Sequence, residues 1–184
     1  SEDIPFLKGE ALRPDEMERY TQFETSEKTS TLYEHCRRAL EKGSTMGAHG
    51  LPLMGGGDWN DGMNRVGMKG RGESVWLGWF LYATLKRFAL ITDDPAAYLQ
   101  RAEKLSQSLE THAWDGDWYL RAYYDDGSRL GSIKNNECQI DSIAQSWAVL
   151  SGAAEPARAA QAMESVNRRL VKQAEQMILL FTPP

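Results

Sequence analysis

The segment VWLGWFLYATLKRFALI, residues 75–91, is apolar on nearly every side of a helical projection. This pattern predicts an α-helix that is buried on most of its faces. Four further helices are predicted on either side of it, near residues 31–42 and 140–150 and starting at residues 94 and 156. The chain is therefore predicted to contain five helices joined by loops.

Local signals mark the starts of these helices. Thr31 and Glu34 form a capping box, and Asp94-Pro95 places a capping residue before a proline at the first helical position. The residues predicted to face inward are Leu32, Cys36, Ala39 and Leu40 in the first helix, Tyr98, Ala102, Leu105 and Leu109 in the third, and Ala159, Met163, Val166 and Leu170 in the last.

The fold class predicted from these elements is all-α. Residues 1–28 are polar and interrupted by proline and glycine, which predicts an extended N-terminal segment ahead of a helical domain at residues 29–184. A long glycine-rich loop at residues 43–73 and a short β-hairpin around Asp126-Gly127 interrupt the helices. The spacing alone leaves a bundle, a solenoid and part of a toroid open.

Composition narrows the functional classes. The net charge of -5 gives no electrostatic reason to expect a nucleic-acid partner or an anionic membrane surface. Cys36 and Cys138 are far apart in sequence and outside any zinc-binding spacing, so no metal site is predicted. No apolar run is long enough to cross a bilayer. The beginning and end of the chain suggest a piece of a longer protein.

The glycine-rich loop holds the strongest candidate for chemistry. Its run GGGDWNDGMNR, residues 55–65, brings two carboxylates, two amides, an indole and a guanidinium together. Asp, Asn and Arg side chains can bind sugar hydroxyls, and a Trp face suits the apolar side of a pyranose ring. Because Trp59 lies in a glycine-rich loop and not on an apolar helix face, its indole is expected to be partly exposed. A carboxyl held against that Trp can act as a general acid. Alternatively, the run is an Asx-rich turn whose side chains bind their own backbone.

Other kinds of functional site are either excluded by the sequence or supported by weaker signals. No Gly-Lys-Ser/Thr follows the glycines, so a Walker phosphate loop is excluded, and the spacing of an EF-hand calcium loop is absent. The aromatic and acidic run at residues 114–119 is predicted to pack in the core. Glu137, Asp141 and Gln145 form a third polar set, and the last two share a helix face that is either solvated surface or the wall of a cleft.

Residues 48–67 resemble the acid-bearing loop of the inverting phosphorylases of glycoside hydrolase family 94. Residues 72–81, 114–123 and 140–152 are similar to the C-terminal region of cyclic β-1,2-glucan synthases, which carry a phosphorylase-like region. The similarity covers about residues 30–184, and the Gly-Asp-Trp-Asn-Asp run is its most specific part.

The resemblance implies that the chain supplies about half of the helices of an (α/α)6 toroid. It makes Asp61 the general acid and Trp59 part of a sugar subsite, with inorganic phosphate as co-substrate and no cofactor. The other residues expected to bind substrate are Asp58, Asn60, Asn64, Arg65, Glu137, Asp141 and Gln145. The family's phosphate-binding residues are expected beyond residue 184, so the isolated chain is expected to be inactive.

The resemblance also implies a parent protein, a cellular location and partners. In such synthases a membrane-embedded glycosyltransferase builds and cyclises the glucan, and the phosphorylase-like region is implicated in chain-length control at the cytoplasmic face of the bacterial inner membrane. The expected partners are a β-1,2-glucan oligosaccharide, the rest of the parent polypeptide and, for the isolated chain, a second copy. Two alternatives stay open: a glucan-binding scaffold using Trp59 and Trp118, and an (α/α)-barrel hydrolase with Asp58 as its base.

Overall fold

The computed structural model describes residues 3–7 and 24–184, without the side chain of Asp61. Within these residues the chain forms five α-helices, nine short β-strands and one 3-10 turn at Asp61–Met63. In chain order the elements are β1 (Ile4–Leu7), β2 (Thr25–Ser30), α1 (Leu32–Gly43), β3 (Glu73–Ser74), α2 (Val75–Phe88), α3 (Pro95–His112), β4 (Ala122–Tyr123), β5 (Arg129–Leu130), β6 (Ile140–Asp141), α4 (Ser142–Ser151), α5 (Pro156–Arg169), β7 (Val171–Lys172), β8 (Met177–Ile178) and β9 (Phe181–Thr182).

The prediction of an all-α fold was wrong. The strands form four small antiparallel sheets, with the orders β1-β2, β3-β4-β5, β6-β9 and β7-β8. Every strand after β2 has two residues, too few to produce the alternating pattern by which a strand is recognised in a sequence. The described helices do not establish an (α/α)6 toroid either, so the expected half toroid is not supported.

The helix starts follow the capping signals. Thr31 accepts a hydrogen bond from the backbone N–H of Glu34 at the start of α1, which confirms half of the predicted capping box. Asp94 accepts one from the backbone N–H of Ala97 at the start of α3. Gly152 ends α4 with a φ of 68°, a left-handed conformation that favours glycine.

The core is built around α2, which packs against both α3 and α4. Trp79 and Leu85 of α2 are fully buried. The four inward positions predicted for α3 are all buried, which confirms that the spacing of apolar residues fixed the orientation of this helix: Tyr98, Ala102, Leu105 and Leu109.

The predicted inward faces of α1 and α5 were partly wrong. In α1 only Leu40 is buried, while Leu32 is 63% exposed. The physical reason is that α1 packs only loosely against α2, and Cys36 and Ala39 face an open apolar groove of ≈ 430 Å³ between the two helices. In α5, Val166 is buried but Met163 remains partly exposed.

Two strand pairings position the candidate site. The predicted hairpin around Asp126-Gly127 is confirmed as β4-β5, and β3 adds to its edge beside the start of α2. The second pairing, β6 with β9, was not predicted, and it places the C-terminal residues against the start of α4. The glycine-rich loop, the hairpin and the C-terminal strand thus meet near the N-terminal ends of α2 and α4.

Within residues 3–7 and 24–184, no helix combines the length and apolar character needed to cross a membrane. The boundary predicted at residue 28 stays a prediction, because residues 8–23 lie outside the described part of the chain.

Candidate active site

The first half of the glycine-rich loop is anchored by the buried carboxylate of Glu73. Its Oε1 accepts hydrogen bonds from the backbone N–H groups of His49 and Leu51, at 3.0 and 3.2 Å, while Oε2 contacts the His49 ring. A Cβ at Gly47 would lie 2.5 Å from the Glu73 side chain, so the close approach of the loop requires glycine there. Residues 47–51 are therefore tied to β3.

The second half of the loop is anchored by Asp125. This carboxylate accepts hydrogen bonds from the backbone N–H groups of Lys69, Arg71 and Gly72 at 2.7–3.0 Å. Desolvation acts to raise the pKa of Asp125, but the three amide donors outweigh it and hold the pKa below its ordinary value. Because both halves of the loop are anchored, the positions of the two ends of the turn between them are fixed.

The turn itself is organised by asparagine and aspartate. Asn60 accepts a hydrogen bond from the backbone N–H of Gly62 at 2.9 Å and caps the 3-10 turn Asp61–Met63. The Asx-turn interpretation of this run is thus correct for Asn60. The backbone of Asp61 opens the 3-10 turn, while its side chain lies outside the described structure, and its predicted acid role stays a prediction.

Asp58 and Arg121 form a fully buried, bidentate ion pair. Arg121 Nη1 lies 2.7 Å from Asp58 Oδ2, and Nη2 lies 2.8 Å from Oδ1. Ser74 donates to the same carboxylate at 2.6 Å. Burial alone would raise the pKa of Asp58, but Arg121 and Ser74 outweigh it and lower the pKa. With its side chain 0% exposed and both oxygens bound, Asp58 holds the turn in place.

Asp141 lies on the other side of the same guanidinium. Its Oδ1 caps α4 by accepting from the N–H groups of Ile143 and Ala144, and its Oδ2 is 3.6 Å from Arg121 Nε. Burial raises the pKa of Asp141, and Arg121 and the amide donors offset this only in part. Arg121 thus has two buried carboxylates beside it and balances the charge of one.

A cleft of ≈ 270 Å³ opens above this cluster. Trp59 is 45% exposed on it, which confirms the expectation that an indole in the glycine-rich loop would be accessible rather than part of the core. Glu137 is an exposed carboxyl at the same cleft. The cleft is lined by Trp59, Asn60, Met63, Arg121, Leu130, Glu137, Cys138, Asp141, Leu180, Phe181 and Pro184.

The other predicted substrate-binding residues do not line the cleft. Gln145 is completely buried, and its amide group bonds to the backbone N–H and C=O of Tyr119 and to the C=O of Asp141, so its hydrogen bonds hold protein segments together. Arg65 is exposed at a separate depression next to Asp125, and Asn64 is half-buried.

Two parts of the site were not predicted from the sequence: the Arg121 side chain and the C-terminal residues of the cleft. Arg121 is the only charged residue in the run 118–124, and a charge inside such an aromatic and apolar segment is itself a signal of a buried ion pair. The contribution of Leu180 and Phe181 depends on the β6-β9 pairing, for which the sequence has no local signal.

Two side chains near the cleft have structural explanations. Burial, with Asp141 nearby, raises the pKa of Cys138 to about 12, so its thiol stays protonated at neutral pH and is a poor nucleophile. Trp118 is buried and donates to the backbone C=O groups of Gly131 and Gln139, as expected of a core aromatic residue.

Comparison with known proteins identifies the family of this chain. Residues 4–184 match the glycosyl hydrolase 94 superfamily, catalytic domain. The chain is 47% identical over 190 aligned residues to cyclic beta-(1,2)-glucan synthase NdvB of Rhizobium meliloti, an alignment that covers 100% of this chain and 7% of the relative.

Two phosphorylases are also similar. Solabiose phosphorylase of Paenibacillus borealis is 40% identical over 78% of this chain and 20% of its own length. N,N'-diacetylchitobiose phosphorylase of Vibrio proteolyticus is 31% identical over 77% of this chain and 18% of its own length. The chain therefore spans a fifth or less of these relatives. It belongs to the glycosyl hydrolase 94 superfamily and forms part of that superfamily's catalytic domain.

Proposed function

We propose that this chain forms the acid-bearing loop and one wall of the sugar cleft in a glycoside phosphorylase-type domain that acts on β-1,2-glucan. The observation that carries the proposal is the exposed Trp59 on a cleft that Glu137 and Asp141 also line, in a loop anchored at both halves. Membership of the superfamily and the similarity to a glucan synthase support this choice of substrate.

In the proposed reaction, Asp61 protonates the glycosidic oxygen as it leaves. A phosphate oxygen attacks the anomeric carbon from the opposite face, so the C–O bond to the leaving sugar breaks and α-glucose 1-phosphate forms with inversion. A phosphorylase needs one catalytic carboxyl, because phosphate replaces the water that an inverting hydrolase must activate with a second. Trp59 supports the sugar ring, and Asn60 and Glu137 are the cleft residues proposed to bind hydroxyls.

The hydrolase alternative has less support. Its proposed base, Asp58, is fully buried and bound through both oxygens to Arg121 and Ser74, so it cannot reach a water molecule in the cleft. A binding-only scaffold that uses Trp59 remains the second candidate, since the cleft lining is suited to holding a glucan with or without turnover. The predicted contribution of Trp118 to this scaffold is wrong, because Trp118 is buried and does not line the cleft.

We extend the proposal to the parent protein. The rest of that polypeptide would supply the phosphate-binding residues, and the complete domain would control chain length in cyclic glucan synthesis at the cytoplasmic face of the inner membrane. The similarity of the whole chain to a cyclic glucan synthase is the support for this setting.

The test is phosphate dependence. The intact catalytic domain should release glucose 1-phosphate from β-1,2-gluco-oligosaccharides in phosphate buffer and release no sugar in a buffer without phosphate. Free glucose in both buffers would favour a hydrolase, and binding without any product would favour the scaffold.

Replacing Trp59 by Ala should weaken sugar binding without unfolding the domain. Removing the exposed ring should raise the dissociation constant for a β-1,2-gluco-oligosaccharide about tenfold, which corresponds to ~1.4 kcal/mol of lost contact. An exposed site should change the free energy of unfolding by no more than about 0.5 kcal/mol. Calorimetric titration measures the dissociation constant, and thermal unfolding measures the change in stability.

Met68→Ala is the matched control, because Met68 is 55% exposed in the same loop but lies away from the cleft. A Trp59→Ala protein that binds the oligosaccharide as the Met68→Ala protein does would remove Trp59 from the sugar site.

The chain produced alone should neither catalyse phosphorolysis nor remain a monomer. Apolar surface is exposed on α2 and α4, where Phe80 is 40%, Val149 47% and Leu150 71% exposed, and extensive apolar patches seldom stay uncovered in a monomer. Light scattering and a glucose 1-phosphate assay on one sample check both expectations. An active monomer would contradict this part of the proposal.

A further inference from the structure

The Arg121 side chain joins three segments of the candidate site. Its two Nη atoms bind the loop through Asp58, Nη1 is also 3.5 Å from Ser74 Oγ at the cap of α2, and Nε is 3.6 Å from Asp141 at the cap of α4. The side chain is 2% exposed, although it forms part of the cleft wall. One guanidinium therefore connects the loop with the two helix ends below it.

The backbone of Arg121 is fixed as well. Its N–H donates to the C=O of Leu130 at 2.8 Å, and its C=O accepts from the N–H of Val75 at 3.2 Å. Gly131 lies so close that a Cβ there would be 2.4 Å from Arg121 N. The side chain thus extends from a rigid position between the hairpin and the first residue of α2.

We infer that Arg121 is a positioning residue, whose bidentate bond to Asp58 fixes the turn that contains Trp59 and Asp61. The inference rests on the proposed function for its consequence in catalysis. Asp58 is one residue from Trp59 and three from Asp61, so a backbone rotation at Asp58 changes the position of both residues.

The geometry requires arginine at this position. A guanidinium presents a planar fork that binds both oxygens of a carboxylate, whereas a lysine ammonium is a point charge on a flexible chain. Arg121→Lys therefore keeps the charge beside Asp58 and Asp141 but loses the bond that fixes orientation. A displacement of about 1 Å at a reacting group costs on the order of a hundredfold in rate.

The kinetic test compares two donor substrates in the intact catalytic domain. We expect Arg121→Lys to lower the kcat for glucan phosphorolysis about a hundredfold. With a β-glucosyl fluoride, phosphate attacks the anomeric carbon and fluoride leaves with the electron pair without needing a proton, so the loss should be less than about tenfold. Equal losses on both donors would mean that Arg121 does not act through the acid-bearing turn, and would overturn the inference.

A second measurement does not depend on turnover. Hydrogen exchange of the backbone amides at residues 57–64 should be at least about tenfold faster in Arg121→Lys, while the amides of α3 should be unchanged. Arg101→Lys is the control, because Arg101 pairs with Glu41 on the surface, away from the cleft. If the wild-type domain yields no glucose 1-phosphate, the proposed function fails, and the exchange result alone decides the role of Arg121. Exchange at residues 57–64 that is equal in Arg121→Lys and Arg101→Lys would then overturn the inference.

Discussion

Asp61→Asn in the intact catalytic domain is expected to lower the rate of glucan phosphorolysis by about a hundredfold to ten-thousandfold. The amide keeps the size and hydrogen-bonding capacity of the carboxyl but cannot deliver a proton to the leaving oxygen. Oligosaccharide binding should therefore be nearly unchanged. Initial rates of glucose 1-phosphate release, together with a binding titration, measure the two effects separately.

A second substrate and a second variant make this result specific. The Asp61→Asn loss should largely disappear with a β-glucosyl fluoride, because fluoride leaves without protonation. Glu137→Gln is the matched control, since Glu137 is the exposed carboxyl at the cleft. A larger loss for Glu137→Gln, with the same recovery on the fluoride, would identify Glu137 as the acid and show that Asp61 was wrongly assigned.

Arg121→Met is expected to lower the free energy of unfolding by about 3–5 kcal/mol near neutral pH. It would leave the buried carboxylates of Asp58 and Asp141 without the cation that lies between them. Denaturant unfolding of the intact domain gives the free energy. Arg101→Met, which removes a more exposed ion pair with Glu41, should cost no more than about 1 kcal/mol.

The pH dependence of this effect has a definite sign. In the wild type the folded-state pKa of Asp58 is lowered, so its stabilising contribution is present above its unfolded pKa of about 3.9 and is lost as the pH falls through the folded pKa. In Arg121→Met the carboxylates stay buried without the cation, so their folded pKa values should rise above the unfolded ones. The stability difference between the two proteins should then narrow from about pH 7 to pH 4. A constant difference would mean that lost packing, not lost charge, explains the effect.

Much of the helical framework could be predicted because its signals are local. The spacing of Tyr98, Ala102, Leu105 and Leu109 identified the buried face of α3, and the capping residue Asp94 marked its start. Trp59 was expected to be exposed because a glycine-rich segment without helical periodicity offers no apolar face to bury an indole, and its 45% exposure agrees.

The polar part of the site depended on long-range partners that no local pattern reveals. Asp58 was expected to bind sugar, but its partner Arg121 is 63 residues away and takes up both of its oxygens. Gln145 was placed correctly on a helix with Asp141, yet its amide binds the backbone of Tyr119, 26 residues away. The strands β3, β6 and β9 were missed for the same reason, since β3 pairs with β4 and β6 pairs with β9 across long stretches of sequence.

The central claim is best tested by NMR of the products that the intact catalytic domain forms from a β-1,2-gluco-oligosaccharide and inorganic phosphate. Inverting phosphorolysis predicts α-glucose 1-phosphate as the first product, formed only when phosphate is present and nearly abolished in Asp61→Asn. Free glucose formed without phosphate, or β-glucose 1-phosphate as the first product, would contradict the mechanism proposed for this cleft.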